Sequence, residues 1–144
     1  MDDVLIHMMR WGQQGYSCSQ ILLLMAMQEE GQSNPDLVRT MAGLAFGCGS
    51  GHATCGTLTG GCCLLAFKAV DKSDPAQPSE QLPMMLQELT GWFEARMGSS
   101  DRDTTCSAIV GEGGAEAARQ TCAQLVGDTY TKVMEILADY GVDG

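Results

Sequence analysis

Apolar residues along this chain recur at helical spacing and nowhere alternate for more than a few residues as a half-buried strand requires. The first helix is predicted from about Asp2 to Trp11, with acids in its first turn where the helix dipole favours them. Gly12 and Gly15 are expected to break it. A second helix is expected from about Ser17 to Glu30, ending at Gly31 in the usual C-cap position. Asn34-Pro35 marks a third start, because Asn caps and Pro suits the first helical position. That helix should reach about Ala45. The glycine-rich run from Gly47 to Thr54 reads as a loop with residues at positive φ.

A fourth helix is predicted to start at Thr54 or Cys55 and to reach about Val70. Asp71 to Pro78, with two prolines, reads as a connection between helices. The fifth helix is expected over about Ser79 to Met97, with Pro83 in its first turn. Gly98 to Thr105 reads as polar loop, Cys106 to Val110 as a short helical turn, and Gly111-Glu112-Gly113-Gly114 as a further break. The last and longest helix, about Ala115 to Tyr140, carries one apolar stripe through Cys122, Leu125, Val126, Val133, Ile136, Leu137 and Tyr140. The expectation is an all-α fold: one domain over residues 1–144, a bundle of five to six helices around one core.

Composition agrees with this and narrows the function. The chain has 144 residues, of which 44% are apolar, enough for one ordered domain with a sizeable core. Its formal net charge of −10 repels phosphate backbones and anionic lipid surfaces, so nucleic acid is not an expected partner. The start Met1-Asp2-Asp3-Val4 is acidic, unlike a secretory signal. The longest apolar stretches, Ile21 to Met27 and Cys62 to Phe67, fall far short of the roughly 20 residues a membrane span needs. No membrane span is expected, and the expected address is the cytoplasm.

Seven cysteines change the picture most. In a cytosolic chain such a number points to redox chemistry or metal binding. Cys18, Cys55 and Cys106 each fall at a predicted helix start, where backbone N–H groups and the helix dipole lower a thiol's pKa. Cys122 sits mid-helix on the apolar stripe, either as a small buried hydrophobe or as a partner thiol on a rigid element. Gly56 and Gly60 give helix four a smooth face for close approach, and bring backbone near whatever Cys55 touches. Thr59, one turn after Cys55, is a candidate hydrogen-bond donor to its sulfur. Cys62 lies about 10 Å along the axis from Cys55, so the two cannot ligate one ion on a straight helix. Packing is the favoured role for Cys62 and Cys63. Cys48 and His52 can converge on Cys55 if the glycine loop folds back. There is no C-x-x-C pair, no haem attachment motif, no ferredoxin run and no phosphate-loop lysine.

Cys18 in Tyr16-Ser17-Cys18-Ser19-Gln20, then Cys55-Gly56-Thr57-Leu58-Thr59-Gly60, then Cys106 and Cys122, resemble the signature of the family named for its C…GCAxxG…C…C cysteine pattern. That family is regarded as redox-active largely because of its cysteines. Thr57 stands where the pattern prefers alanine, and Cys48, Cys62 and Cys63 are additional to it. The resemblance implies that Cys18, Cys55, Cys106 and Cys122 carry the function, with an unidentified redox partner protein. Three readings are open. The four thiols exchange disulfides, as in an oxidoreductase or electron carrier. The same four, with or without Cys48 and His52, hold a metal such as zinc or an iron–sulfur cluster. Or the cysteines only pack, in a helical interaction protein. Neither the cofactor nor the oligomeric state follows from the sequence.

Overall fold

The computed structural model describes residues 3–70, 73, 74, 76, 80–97, 104–106, 109 and 114–142. Among them the fold is all-α, with six helices of seven residues or more: α1 (Asp3–Gln13), α2 (Cys18–Glu30), α3 (Pro35–Met41), α4 (Gly56–Ala69), α5 (Leu82–Met97) and α6 (Gly114–Asp139). The expected bundle is observed, with two adjustments. Helix α1 continues through Gly12 to Gln13, so this glycine does not break it. Helix α3 stops at Met41, and Ala42–Leu44 tightens into a 3-10 turn. Most of residues 71–79 and 98–103, together with 107, 108 and 110–113, lie outside the described set. So do the greater part of the expected 71–78 connection, of the polar loop and of the short turn after Cys106.

The helix ends follow local chemistry. The Gln20 side chain reaches back to accept from the Ser17 N–H at 3.0 Å, which closes the start of α2, and its amide donates to Val38 O on α3 at 3.1 Å. Gly31 ends α2 at φ 68°, where a Cβ would be strained. Asn34 Oδ1 accepts from the Leu37 N–H at 3.2 Å, so the Asn-Pro signal works as a cap.

Helix α4 occupies the centre and packs on α2, α5 and α6. Its Leu64 and Leu65 are fully buried with Leu22 and Leu23 of α2, Met85, Leu89 and Phe93 of α5, and Val133 and Ile136 of α6. Each such side chain contributes about 1.5–3 kcal/mol when withdrawn from water. Glycines set the closeness of the α2–α4 contact. A Cβ on Gly60 would lie 2.9 Å from Ser19 Cα, inside backbone contact distance. Ser19 in turn donates to Met41 O at 2.8 Å, which ties α3 to the same pair. Among the described residues no helix is long and apolar enough to cross a membrane.

Candidate functional site

The N-termini of α2 and α4 lie side by side, and each begins with a cysteine. Cys18 is the first residue of α2, and Cys55 is the N-cap of α4. Gly56 allows the approach: a Cβ there would stand 2.7 Å from Leu44 O and 3.2 Å from Cys18 Sγ. The Cys18 and Cys55 side chains are hydrogen-bonded to each other.

Cys106 is brought in by a separate device. The Cys55 N–H donates to Thr104 O at 2.7 Å, and the Cys106 N–H donates to Ala53 O at 3.1 Å. These two bonds make an isolated antiparallel bridge between Thr54 and Thr105. Gly47 leaves room for it, since a Cβ there would fall 2.6 Å from Ala53 O and 3.0 Å from Cys106 Cβ. Just before the bridge the backbone makes a left-handed turn. Phe46 sits at φ 57° and Cys48 at φ 56°, with Gly47 between them at φ 61° and Gly49 following at φ 84°. The glycine run therefore does contain residues at positive φ, the non-glycine Cys48 among them, and Phe46 just before the run shares the conformation. Such conformations cost non-glycine residues about 1–3 kcal/mol each. Cys122, half-buried on α6, lies within electrostatic reach of the other three: the charges of Cys55 and Cys106 raise it, and its own raises Cys18.

The four sulfurs are not equivalent. Cys55 is 3% exposed, yet its thiol is lowered to about 6. The largest cause is the hydrogen bond from Cys18; the Thr57 hydroxyl and the N–H groups of Thr57 and Leu58 also favour the thiolate, against the opposing effect of burial. Cys18 is strongly raised, first because its proton is held toward Cys55 and then by burial. Cys106 and Cys122 are raised by burial and by the negative charge on Cys55. Of the four thiols, Cys55 alone is lowered, and the other three are raised. All seven cysteines are free.

This constellation of four cysteines and a CGxxxG turn coincides with one family. Residues 16–136 match the family described as "Putative redox-active protein (C_GCAxxG_C_C)". The chain belongs to that family. As a C_GCAxxG_C_C protein it places all four signature cysteines in one electrostatically linked cluster. No curated protein and no solved structure matches the chain.

Other candidate residues fall elsewhere. The Thr59 hydroxyl donates to Cys55 O at 3.4 Å, because one turn of helix carries it to the carbonyl and not to the sulfur. Gly56 and Gly60 serve the helix contact. Cys48 and His52 are exposed. Among the described residues no three His, Cys, Asp or Glu side chains stand where they can hold one metal ion. Cys62 is half-buried, its thiol pushed up by burial, and Cys63 is exposed. Thr57 and Gly47 were not singled out by spacing as functional. The one signal for Thr57 was its departure from the family's alanine.

Proposed function

We propose that this C_GCAxxG_C_C protein is a thiol–disulfide oxidoreductase in which Cys55 is the attacking sulfur and Cys18 the resolving one. The observation that supports this most directly is the hydrogen-bonded Cys18–Cys55 pair, with the Cys55 thiol lowered to about 6. At neutral pH Cys55 is a thiolate, the form that attacks disulfides. It attacks one sulfur of a substrate disulfide, and the other sulfur leaves as a thiolate. Cys18 gives up its proton to that leaving sulfur and attacks Cys55 in the mixed disulfide. The products are a Cys18–Cys55 disulfide, one substrate thiol and one substrate thiolate, which takes a proton from water, so two electrons pass to the substrate. Cys55 is buried, whereas Cys106 and Cys122 are half-buried. Cys106 and Cys122, half-buried like Cys18, are read as a second pair that exchanges with the first. The cytoplasm, where thiols are kept reduced, suits a chain with seven free thiols.

Mass spectrometry of the reduced protein after mild oxidation with diamide tests this. The expected result is loss of two hydrogens between the peptides carrying Cys18 and Cys55, reversed by dithiothreitol and absent in Cys55→Ser. A protein that keeps both thiols titratable under diamide sinks the reading.

A further inference from the structure

Beside the thiol cluster lies an open groove of about 380 Å³, between the start of α2 and the segment 42–49. Ser17 and Gln20 line one side, and Gly43, Phe46 and Cys48 line the other. The groove and the cluster share a wall. Ser17 directly precedes Cys18, the first residue of α2. Leu44 O, in the opposite wall, and Cys18 Sγ lie 2.7 Å and 3.2 Å from the place a Cβ on Gly56 would take. Gly47, next after Phe46, packs against Cys106. None of the described residues lining the groove is Asp, Glu, Lys, Arg or His, although the chain carries a net charge of −10. Phe46 is the most exposed large apolar side chain among the described residues, and it stands on the groove. At Gly43 neither a positive φ nor a neighbour within 4 Å demands a glycine, so its missing side chain leaves room in the groove and serves no packing contact.

Resting on the exchange reading above, we propose that this groove receives a segment of a partner protein that carries the substrate disulfide, with uncharged or basic residues beside the cystine. Charge selects that occupant. Glutathione disulfide, the small alternative, carries more carboxylates than ammonium groups. The groove offers no cation to hold them, and the acidic molecule around it repels them. An uncharged segment meets no such barrier, and a lysine or arginine at the groove mouth gains from the surrounding negative charge. Phe46 supplies an apolar contact for the segment, on a patch that otherwise faces water. A cystine seated there stands alongside Ser17 and Leu44, which adjoin Cys18 and Gly56.

The test is the rate at which the fully reduced protein is oxidised by a synthetic disulfide-linked peptide dimer with alanines beside each cysteine, by its lysine and glutamate counterparts, and by glutathione disulfide. Each rate is divided by the same protein's rate with diamide and by the probe's own rate with dithiothreitol. Wild type is expected to favour the alanine and lysine peptides over glutathione disulfide by about tenfold at low salt, and by less in roughly 1 M salt. Gly43→Glu is expected to raise the lysine-over-glutamate ratio by about tenfold, and Gly43→Lys to lower it by as much. Gly91→Glu and Gly91→Lys make the same charge changes on α5 and are expected to leave the ratio near that of wild type. Phe46→Gly, with a residue that suits the left-handed backbone, is expected to slow the alanine peptide severalfold. The wild-type comparison and Phe46→Gly serve if the Gly43 variants lose their helical circular dichroism. Glutathione disulfide reacting as fast as the alanine peptide overturns the inference, and so do Gly43 and Gly91 variants that shift the ratio equally. Failure of the exchange reading is separate: it shows as wild type that forms no Cys18–Cys55 disulfide under diamide, whatever the order of the probes.

Discussion

Phe46 combines two costs at a single residue. It holds φ 57° and ψ 38°, and 68% of its side chain is exposed, so little burial offsets the strain. Phe46→Gly is expected to leave stability unchanged or raise it by up to about 1 kcal/mol, measured by urea denaturation, because the left-handed penalty disappears while glycine's unfolded-state entropy takes back part of the gain. Lys68 is the opposite case. Its side chain is 3% exposed and ion-paired with Glu30, itself only 21% exposed. Glu30→Ala leaves that ammonium buried without a partner and is expected to cost about 3 kcal/mol, with a matching fall in thermal midpoint. Neither residue stands out in the sequence. A phenylalanine between alanine and glycine and a lysine at a helix end look ordinary until their backbone angle and burial are known.

Helix contact distances decide the site at the next scale. Gly60 and Gly91 are both interior helix glycines, and a Cβ has very different consequences at each. At Gly60 it would meet Ser19 Cα at 2.9 Å, while at Gly91 nothing lies within 4 Å. Gly91→Ala is expected to stabilise by up to about 1 kcal/mol through helix propensity. Gly60→Ala is expected to destabilise by about 1–2 kcal/mol net, since overpacking exceeds the same propensity gain. It also pushes Ser19, and with it Cys18, away from Cys55, so the rate of diamide-driven disulfide formation should fall in the folded variant. Equal stabilisation of the two variants would show that α2 and α4 are not in close contact. The helices themselves were legible: the expected start near Ser17, the Asn34 cap and the stop at Gly31 mark the ends of α2 and the start of α3 within a residue or two. The bridge that carries Cys106 to Ala53 was not, because two backbone hydrogen bonds leave no side-chain pattern.

For the molecule as a whole, the inner pair links thiol chemistry to stability. In the unfolded chain both thiols titrate near 9.0; in the folded protein Cys55 titrates near 6, and Cys18 is strongly raised. Between pH 6 and 9 the unfolded chain holds the extra proton on Cys55, so stability rises with pH. Above pH 9 the folded protein keeps the Cys18 proton that the unfolded chain loses, so stability falls again. The reduced protein is therefore expected to lose stability on either side of about pH 9 through this pair. The double variant Cys18→Ser with Cys55→Ser should lack that component in urea titrations under reducing conditions. A wild-type profile that matches the double variant throughout would contradict the assignment of Cys55 as the thiolate.

The sequence by itself determined the helices, the apolar stripe of α6 and the position of three cysteines at helix starts, because spacing, capping residues and glycine stops act within a few residues of chain. It also marked the four signature cysteines as a set, through their resemblance to one family. Only the tertiary structure decided what the set is. Cys18, Cys55, Cys106 and Cys122 come from distant parts of the chain, and their linkage depends on Gly56 and Gly60 letting α2 meet α4 and on a two-bond bridge delivering Cys106. Which sulfur carries the charge depends on a thiol and backbone N–H groups converging on Cys55, and that convergence exists only once the helices have packed.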